Sequence, residues 1–215
     1  MLGKFLKHEK GITGLETAII LIAFVVVAAV FAYTALSAGL FATQKSQEAV
    51  YSGLKEAQST LEIRGGVIAT ANGTGGTIEQ LTFIVANVLG GEAIDFTEAT
   101  AKSANDGTAN TSSGYATNKV VINYIDKDQT VKNLYWQFTP LGNDDGDNLL
   151  ENNEKFQVVV GSDTVTTSGG NLIDALTTDL TTNKTFTLEV VTPAGAVLQI
   201  ERTTPAYIDS IMNLH

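Results

Sequence analysis

The sequence predicts an α+β protein in which a long, apolar N-terminal α-helix precedes an Ig-like antiparallel β-sandwich. No charged side chain occurs from Thr17 to Gln44, so the apolar residues are concentrated near the N-terminus. From Val67 onward, short runs of Val, Ile, Phe, Tyr and Thr alternate with clusters of Gly, Asn and Asp. Short strands separated by turn residues are typical of a sandwich or a small barrel. The length of 215 residues suffices for one such domain plus an extra element.

The predicted helix runs from Ile12 to Arg64. At a rise of ~1.5 Å per residue, its charge-free segment is long enough to cross a hydrocarbon core of ~30 Å. Beyond that segment, the apolar residues from Val50 to Leu61 keep helical spacing opposite a polar face, and Gly65-Gly66 predicts the end of the helix. A helix that is apolar around its whole circumference must be buried in lipid or in other protein. Its many small residues would let it bundle closely with copies of itself.

The first residues, Met1 to Gly11, carry Lys4, Lys7 and Lys10 against one acid, Glu9. Lysines in this position keep the start of a membrane helix on the cytoplasmic side. Three interpretations of this N-terminus are open. It is a secretory signal peptide cut after a small-residue site near residues 35–39, a permanent membrane anchor, or a leader that is removed before the apolar segment.

The third interpretation accounts for the most details. The basic leader ends in Lys10-Gly11, an apolar residue, Ile12, follows, and Glu16 lies just inside the apolar run. The block GITGLETAIILIAFVVVAAVFAY, followed by FATQKSQE, resembles archaeal flagellins (archaellins), which belong to the type IV pilin-like filament superfamily. The resemblance implies a class III leader, residues 1–11, that a prepilin-type signal peptidase removes between Gly11 and Ile12.

The resemblance also implies a function. The chain would be a structural subunit of the archaellum, a secreted motility filament built as a helical homopolymer. The precursor would enter the cytoplasmic membrane before assembly, residues 12–64 would form the polymerisation helix, and residues 67–215 would form the extracellular β-sandwich. The alternatives are an archaeal type IV adhesion pilin and a membrane-anchored surface module.

Glu16 is the candidate assembly residue. A carboxylate near the start of a membrane helix is costly in lipid, although the helix dipole favours negative charge in the first turn. In the pilin family the equivalent glutamate is implicated in placing an incoming subunit, through pairing with a new N-terminal amine. The alternative interpretation is an acid that merely stabilises the start of the helix.

Six strands are predicted in the second part of the chain, where β-branched and aromatic residues are bounded by turn residues. They are Leu81–Val88, Lys119–Ile125, Val131–Phe138, Phe156–Val160, Phe186–Val191 and Ala196–Glu201. Trp136, on an apolar strand, is predicted to be a core residue. The polar segment from Thr97 to Asn118 is predicted to be a mobile or variable loop.

The composition excludes several functions. With 13 basic and 23 acidic residues the formal charge is −10, so the chain lacks the basic footprint that nucleic acids require. There is no cysteine, which excludes thiol catalysis and a Cys-ligated zinc site. The two histidines, His8 and His215, stand at opposite ends of the chain. No catalytic constellation is recognisable, and the sequence therefore predicts a protein that is not an enzyme.

The acidic segment from Asn143 to Glu154 is the candidate metal site. Oxygen ligands would come from the side chains and one carbonyl of Asn143, Asp145, Asp147, Leu149, Glu151 and Glu154. Hard cations such as calcium take this kind of oxygen cluster, and the spacing follows the twelve-residue calcium loop with departures. The alternative is an acidic, solvated hairpin loop. Calcium is the one cofactor that the sequence suggests.

Three N-x-[ST] sequons are present, at Asn72, Asn110 and Asn183. Each lies in a loop-like setting, as a surface glycosylation acceptor should. Chance matches are common in a chain so rich in Asn and Thr. The resemblance to archaellins implies that the chain is a glycoprotein with at least one of these sites used.

Overall fold

The structure is a computed structural model, and it describes the backbone of residues 9–73, 76–88, 91–115, 117–162 and 169–214. Within the N-terminal helix, side chains are described from Gly14 onward. The chain divides into two compact units, the first ending at Ser52 and the second beginning at Gly53. Most of the predicted leader, Met1 to His8, lies outside the described residues.

One helix, α1, spans Glu9–Gln58. It begins upstream of Ile12, the predicted start, and every described side chain from Gly14 to Gln58 is exposed. The prediction that the helix continues to Arg64 is wrong, because α1 ends six residues earlier at Gln58.

The residues just after α1 explain where it ends. The backbone N–H and the hydroxyl of Ser59 both donate to the carbonyl of Lys55, at 3.0 and 2.9 Å. The Thr60 hydroxyl donates to another carbonyl of the last turn at 2.7 Å. These bonds satisfy carbonyls that a helix end leaves without partners. The next residues, Leu61–Ile63, form a strand with Leu61 buried, so strand pairing and burial override their helical spacing.

In the part of the chain that the structure describes, twelve strands and one short helix follow α1. The strands are β1 (Leu61–Ile63), β2 (Val67–Ala71), β3 (Ile78–Asn87), β4 (Ile94–Asp95), β5 (Val121–Asp126), β6 (Thr130–Val131), β7 (Trp136–Leu141), β8 (Leu149–Leu150), β9 (Lys155–Val160), β10 (Thr185–Val191), β11 (Val197–Thr203) and β12 (Ile211–Leu214). The short helix, α2, is Leu172–Ala175, and Asn171 caps its N-terminus through a capping box.

The strands form three antiparallel sheets. The six-stranded sheet has the order β12-β2-β3-β9-β7, with β1 paired to β3, and the four-stranded sheet has the order β11-β10-β5-β6. A third, two-stranded sheet joins β4 and β8. Five predicted strands match β3, β5, β9, β10 and β11, with ends that differ by a few residues. The sixth, Val131–Phe138, is divided into β6 and β7, and Leu134 between them forms a bridge with Thr108.

Both large sheets contribute to one hydrophobic cluster, as the period-two burial of their strands requires. In β3 and β10 alternate apolar residues are buried, for example Phe83 and Leu188. Trp136 is 1% exposed and its indole N–H donates to the carbonyl of Val120 at 3.1 Å, which confirms it as a core residue. The prediction of a long helix followed by an antiparallel β-sandwich is confirmed.

The segment predicted to be a mobile polar loop, Thr97 to Asn118, also contributes to the interior. Ala99 and Ala109 are buried within it. The Asp106 carboxylate accepts bonds from the backbone and the hydroxyl of Thr108, at 3.0 and 2.8 Å. Part of this segment is therefore held in the interior of the domain through small residues, which its polar composition conceals, whereas residues 111–115 are exposed.

Candidate functional site

The first candidate site is α1, whose apolar side chains point in every direction. Successive helical residues are rotated by about 100°, so four consecutive side chains sample the whole circumference. Phe24, Val25, Val26 and Val27 are all more than half exposed. The segment from Gly14 to Gln58 is also long and apolar enough to cross a membrane. The helix thus exposes a large apolar surface that lipid or other protein chains must cover.

The predicted processing and assembly residues lie in the first turns of α1. The backbone of Lys10, Gly11 and Ile12 is helical, so α1 runs through the expected cleavage bond. The side chains of these three residues are outside the described part. Glu16 is exposed, one turn beyond Ile12 and just before the charge-free segment begins.

The second candidate site is the loop between β7 and β9. Its end is held to the domain by β8, in which Leu149 pairs with Asp95. The backbone N–H of Phe96 donates to the carbonyl of Asn148 at 2.7 Å. Gly146 has a φ of 94°, a conformation that other residues rarely adopt. The loop, which is exposed from Gly142 to Asn148, therefore turns back toward the start of β9.

This turn brings three carboxylates together. Ligand oxygens of Asp144, Asp145 and Glu154 all lie within 4.8 Å of one another. Glu154 is only 7% exposed, and one of its oxygens accepts the backbone N–H of Glu151 at 2.9 Å. Asp144 and Asp145 are exposed, so solvent screens part of the repulsion among the three carboxylates. Oxygen ligands grouped in this way are the kind that hard divalent cations take.

The cluster differs from the predicted ligand set. Asp145 and Glu154 are in both, but Asp144 was not predicted, and Asp147 and Glu151 are not in the cluster. An Asp147 carboxylate oxygen accepts the backbone N–H of Leu149 at 2.7 Å, so it supports the turn. The other two predicted ligands, Asn143 and Leu149, lie in the exposed turn and in β8, respectively. The predicted ligands were spaced as in the twelve-residue calcium loop, which helices flank, whereas strands flank the loop in this chain.

The three sequons differ in accessibility. Asn110 is 5% exposed, and its side-chain oxygen accepts the backbone N–H of Ser112 at 3.0 Å. Asn72 and Asn183 are exposed, and Thr74 of the first sequon lies outside the described residues. Only exposed side chains are accessible to an enzyme that acts on the folded domain. Asn72 and Asn183 are therefore accessible as glycosylation acceptors, whereas Asn110 is not.

Comparison with known proteins identifies the family. The archaeal-type flagellin family model matches residues 11–202. The chain is 39% identical over 220 residues to probable flagellin 1 of Archaeoglobus fulgidus, with 98% of each chain covered. It is similar to the solved archaeal flagellum of Methanospirillum hungatei strain JF1, at 28% identity and a TM-score of 0.60, covering 94% of this chain and 98% of that one. Archaeal flagellin FlaB1 from Methanocaldococcus jannaschii shares the fold, with 13% identity, a TM-score of 0.50 and coverage of 72% and 95%. The chain therefore belongs to the archaeal-type flagellin family and is a structural, non-enzymatic subunit of the extracellular archaellum filament.

Proposed function

We propose that α1 is the polymerisation element and that burial of its apolar circumference against α1 of neighbouring subunits holds the filament together. The observation that carries this proposal is the exposure of every described side chain of α1 in the single chain. From Thr17 to Gln44 these side chains are all uncharged. Bundled copies of α1 would remove this surface from water without lipid.

The energetics favour the helix over contacts between β-domains. Full burial of a Val, Leu, Ile or Phe side chain contributes about 1.5–3 kcal/mol. Leu21, Phe24 and Phe31 are each more than 60% exposed, and many similar residues surround them. Even partial burial along this segment exceeds what a small contact between surface loops supplies.

The proposed route starts in the cytoplasmic membrane. The precursor inserts α1 with its lysines on the cytoplasmic side, and a prepilin-type signal peptidase cuts between Gly11 and Ile12. The cut removes Lys4, Lys7, Lys10 and Glu9, so the mature formal charge is −10 − (3 − 1) = −12. The filament subunit keeps its apolar helix, which a secretory peptidase cutting after that helix would remove.

Within this route, Glu16 places the incoming subunit. Cleavage creates an amine at Ile12 in a largely apolar surrounding, where a lone charge is costly. The Glu16 carboxylate of a neighbouring subunit can compensate it. If Glu16 only stabilises its own helix, its carboxylate interacts with the dipole of that helix. Neutralising Glu16 would then leave assembly intact, whereas it would block assembly if Glu16 places the incoming subunit.

The acidic loop forms a second proposed site. Asp144, Asp145 and Glu154 hold a divalent cation, with calcium the ion suited to their oxygens. The convergence of these carboxylates around the nearly buried Glu154 supports this assignment over a fully solvated hairpin. A bound cation would hold the β7–β9 loop to the start of β9 in a chain without disulfides.

A truncation tests the polymerisation proposal. The fragment Gly53–His215 keeps the capped helix end, β1 and the whole hydrophobic cluster, whereas a fragment starting at Gly66 would lose β1. We expect it to sediment as a soluble monomer under conditions where the mature chain from Ile12 forms filaments visible by electron microscopy. If the fragment alone forms filaments, the β-domains drive assembly and α1 is only an anchor.

A further inference from the structure

The outer face of the six-stranded sheet carries an uninterrupted row of uncharged side chains across five strands. Cross-strand pairing aligns them, from β12 to β7, as Asn213, Ile68, Thr82, Val159 and Gln137. The residues on either side of them in the strands, such as Leu81 and Phe83, point to the core. This row is therefore the centre of the face turned away from the core.

Two flanking rows continue this pattern. On one side Ile211, Thr70 and Gln80 are paired neighbours, and on the other side Ile84, Gln157 and Thr139 are. None of the side chains in these three rows, all within the described strands, is charged. On the side of Ile84, charge appears at the end of the same row, where the backbone N–H of Arg64, just after β1, donates to the Ile84 carbonyl at 2.9 Å. In the next row, Glu62 and Lys155 are both opposite Ala86.

The outer face of the four-stranded sheet differs. Its paired rows include Glu201 beside Thr187 and Glu189 beside Asn123. These acids point away from the core, as the buried residues between them show, for example Leu188. An acidic outer face is the ordinary solution for a soluble domain in a chain with a net charge of −10. The uncharged outer face of the six-stranded sheet departs from this pattern, which indicates that another surface packs on it.

Charge and area indicate what this occupant is. Copies of an acidic chain repel one another, and a face without charge is the surface on which they approach at least cost. Each outward residue covers a cell of about 4.8 by 6.6 Å, so the three rows present on the order of 350 Å². A stable pair of free proteins needs about 800 Å² from each partner. This face is too small for a dimer but suits subunits that another contact already holds together.

We propose that the outer face of the six-stranded sheet is the surface through which the second unit of each subunit packs on neighbouring copies of this chain in the filament. The face functions because α1 holds the copies at a high effective concentration, and in this respect the inference rests on the proposed role of α1. The four-stranded sheet then presents Glu189 and Glu201 to solvent. The archaellum surface would be acidic because of this orientation.

Cysteine accessibility tests the proposal, because the natural chain contains no cysteine. Thr82→Cys lies in the central row, and Thr187→Cys is its match on the other outer face, with both threonines half-buried in the single chain. Full-length filaments of each variant are treated with a maleimide, dissociated and analysed by mass spectrometry. We expect Thr82→Cys to react at least about tenfold less than Thr187→Cys in filaments, because a packed interface excludes water and reagent. Unassembled chains should show comparable labelling at both positions.

Equal labelling of the two cysteines in filaments, or stronger protection of Thr187→Cys, would overturn the proposal. If Thr82→Cys does not assemble, Gln137→Cys in the same row replaces it. A failure of the α1 proposal gives a different result, since filaments would then form from the Gly53–His215 fragment, which lacks most of α1. The labelling of full-length filaments reports only on which sheet face is covered.

Discussion

A carboxylate oxygen of Glu98 accepts the backbone N–H of Phe138 at 2.6 Å and so ties the segment after β4 to β7. Glu98 is half-buried, and this burial raises the pKa of its carboxyl, while the bond from Phe138 acts in the opposite direction. The net pKa is raised above that of the unfolded chain. A group of this kind favours folding below its unfolded pKa and loses that contribution as the pH rises through its folded pKa.

Replacing Glu98 by glutamine should therefore stabilise the β-domain at neutral pH. The glutamine side chain keeps an oxygen for the Phe138 N–H and removes the charge that burial disfavours. We expect a higher melting temperature for the Gly53–His215 fragment at pH 7. The difference from the natural sequence should shrink below about pH 4, where the glutamate is protonated in both states. Circular dichroism melts across pH measure both. Glu201→Gln, on the exposed face of β11, is the control, and a Glu98→Gln variant that is less stable at pH 7 would contradict the argument.

A charge in the middle of α1 should abolish filament growth. Val26→Asp puts a carboxylate where neighbouring helices are proposed to pack, and an unpaired buried charge costs several kcal/mol. Val197→Asp is the matched control, because Val26 and Val197 are 55% and 51% exposed in the single chain. Electron microscopy should show filaments from Val197→Asp and none from Val26→Asp, with the β-domain folded in both. Normal filaments from Val26→Asp would place the helix outside the interface.

Chelation should destabilise the β-domain if the acidic loop holds calcium. A ligand at a hundred times its Kd stabilises the folded state by about 2.7 kcal/mol, and a chelator removes that contribution. Asp145→Ala should abolish the sensitivity of the melting temperature to chelator and to added calcium. Asp147→Ala should keep it, because the Asp147 carboxylate supports the turn to Leu149 and is outside the cluster. A melting temperature indifferent to chelator and calcium would identify the loop as a solvated hairpin.

Glycosylation should be found at Asn183 and absent at Asn110. Asn183 is exposed in the turn before β10, with a φ of 55° that asparagine tolerates. Asn110 is buried and its oxygen is bonded to Ser112, so a glycan there would disrupt local packing. Glycopeptide mass spectrometry of sheared filaments measures the occupancy of each site. A glycan on Asn110 would show that modification precedes folding of this segment.

The mature subunit should begin at Ile12, and Glu16 should affect assembly without affecting cleavage. Intact-mass analysis of filament protein should show the loss of residues 1–11. A chain that starts at Met1 or after Ala38 would refute the leader assignment. Glu16→Gln should still be cleaved, yet it should accumulate as unassembled membrane protein, because the new amine lacks its counter-charge. Glu48→Gln, in the polar part of the same helix, is the control. Normal filaments from Glu16→Gln would leave that residue with a helix-stabilising role.

Some features of this flagellin follow from the sequence by itself. The segment from Thr17 to Gln44 is a helix whose surface lipid or protein must cover. This follows from the sequence because continuous apolar residues make a helix apolar around its whole circumference. The strands β3, β5, β9, β10 and β11 follow equally from local alternation and β-branched residues. The position of Trp136 in the core needed only its apolar neighbours.

Other features were decided by tertiary structure, because they depend on residues far apart in the chain. Leu61–Ile63 keeps helical spacing, yet pairing with β3 and burial of Leu61 make it a strand. Asp144 joins Glu154 only because the loop turns back at Gly146 and β8 pairs with β4. The uncharged face exists only when five strands pair in one register, since a slip by one residue would send Thr82 and its row into the core. Local sequence patterns specify which residues favour burial, whereas strand register and loop closure determine which of these residues come into contact.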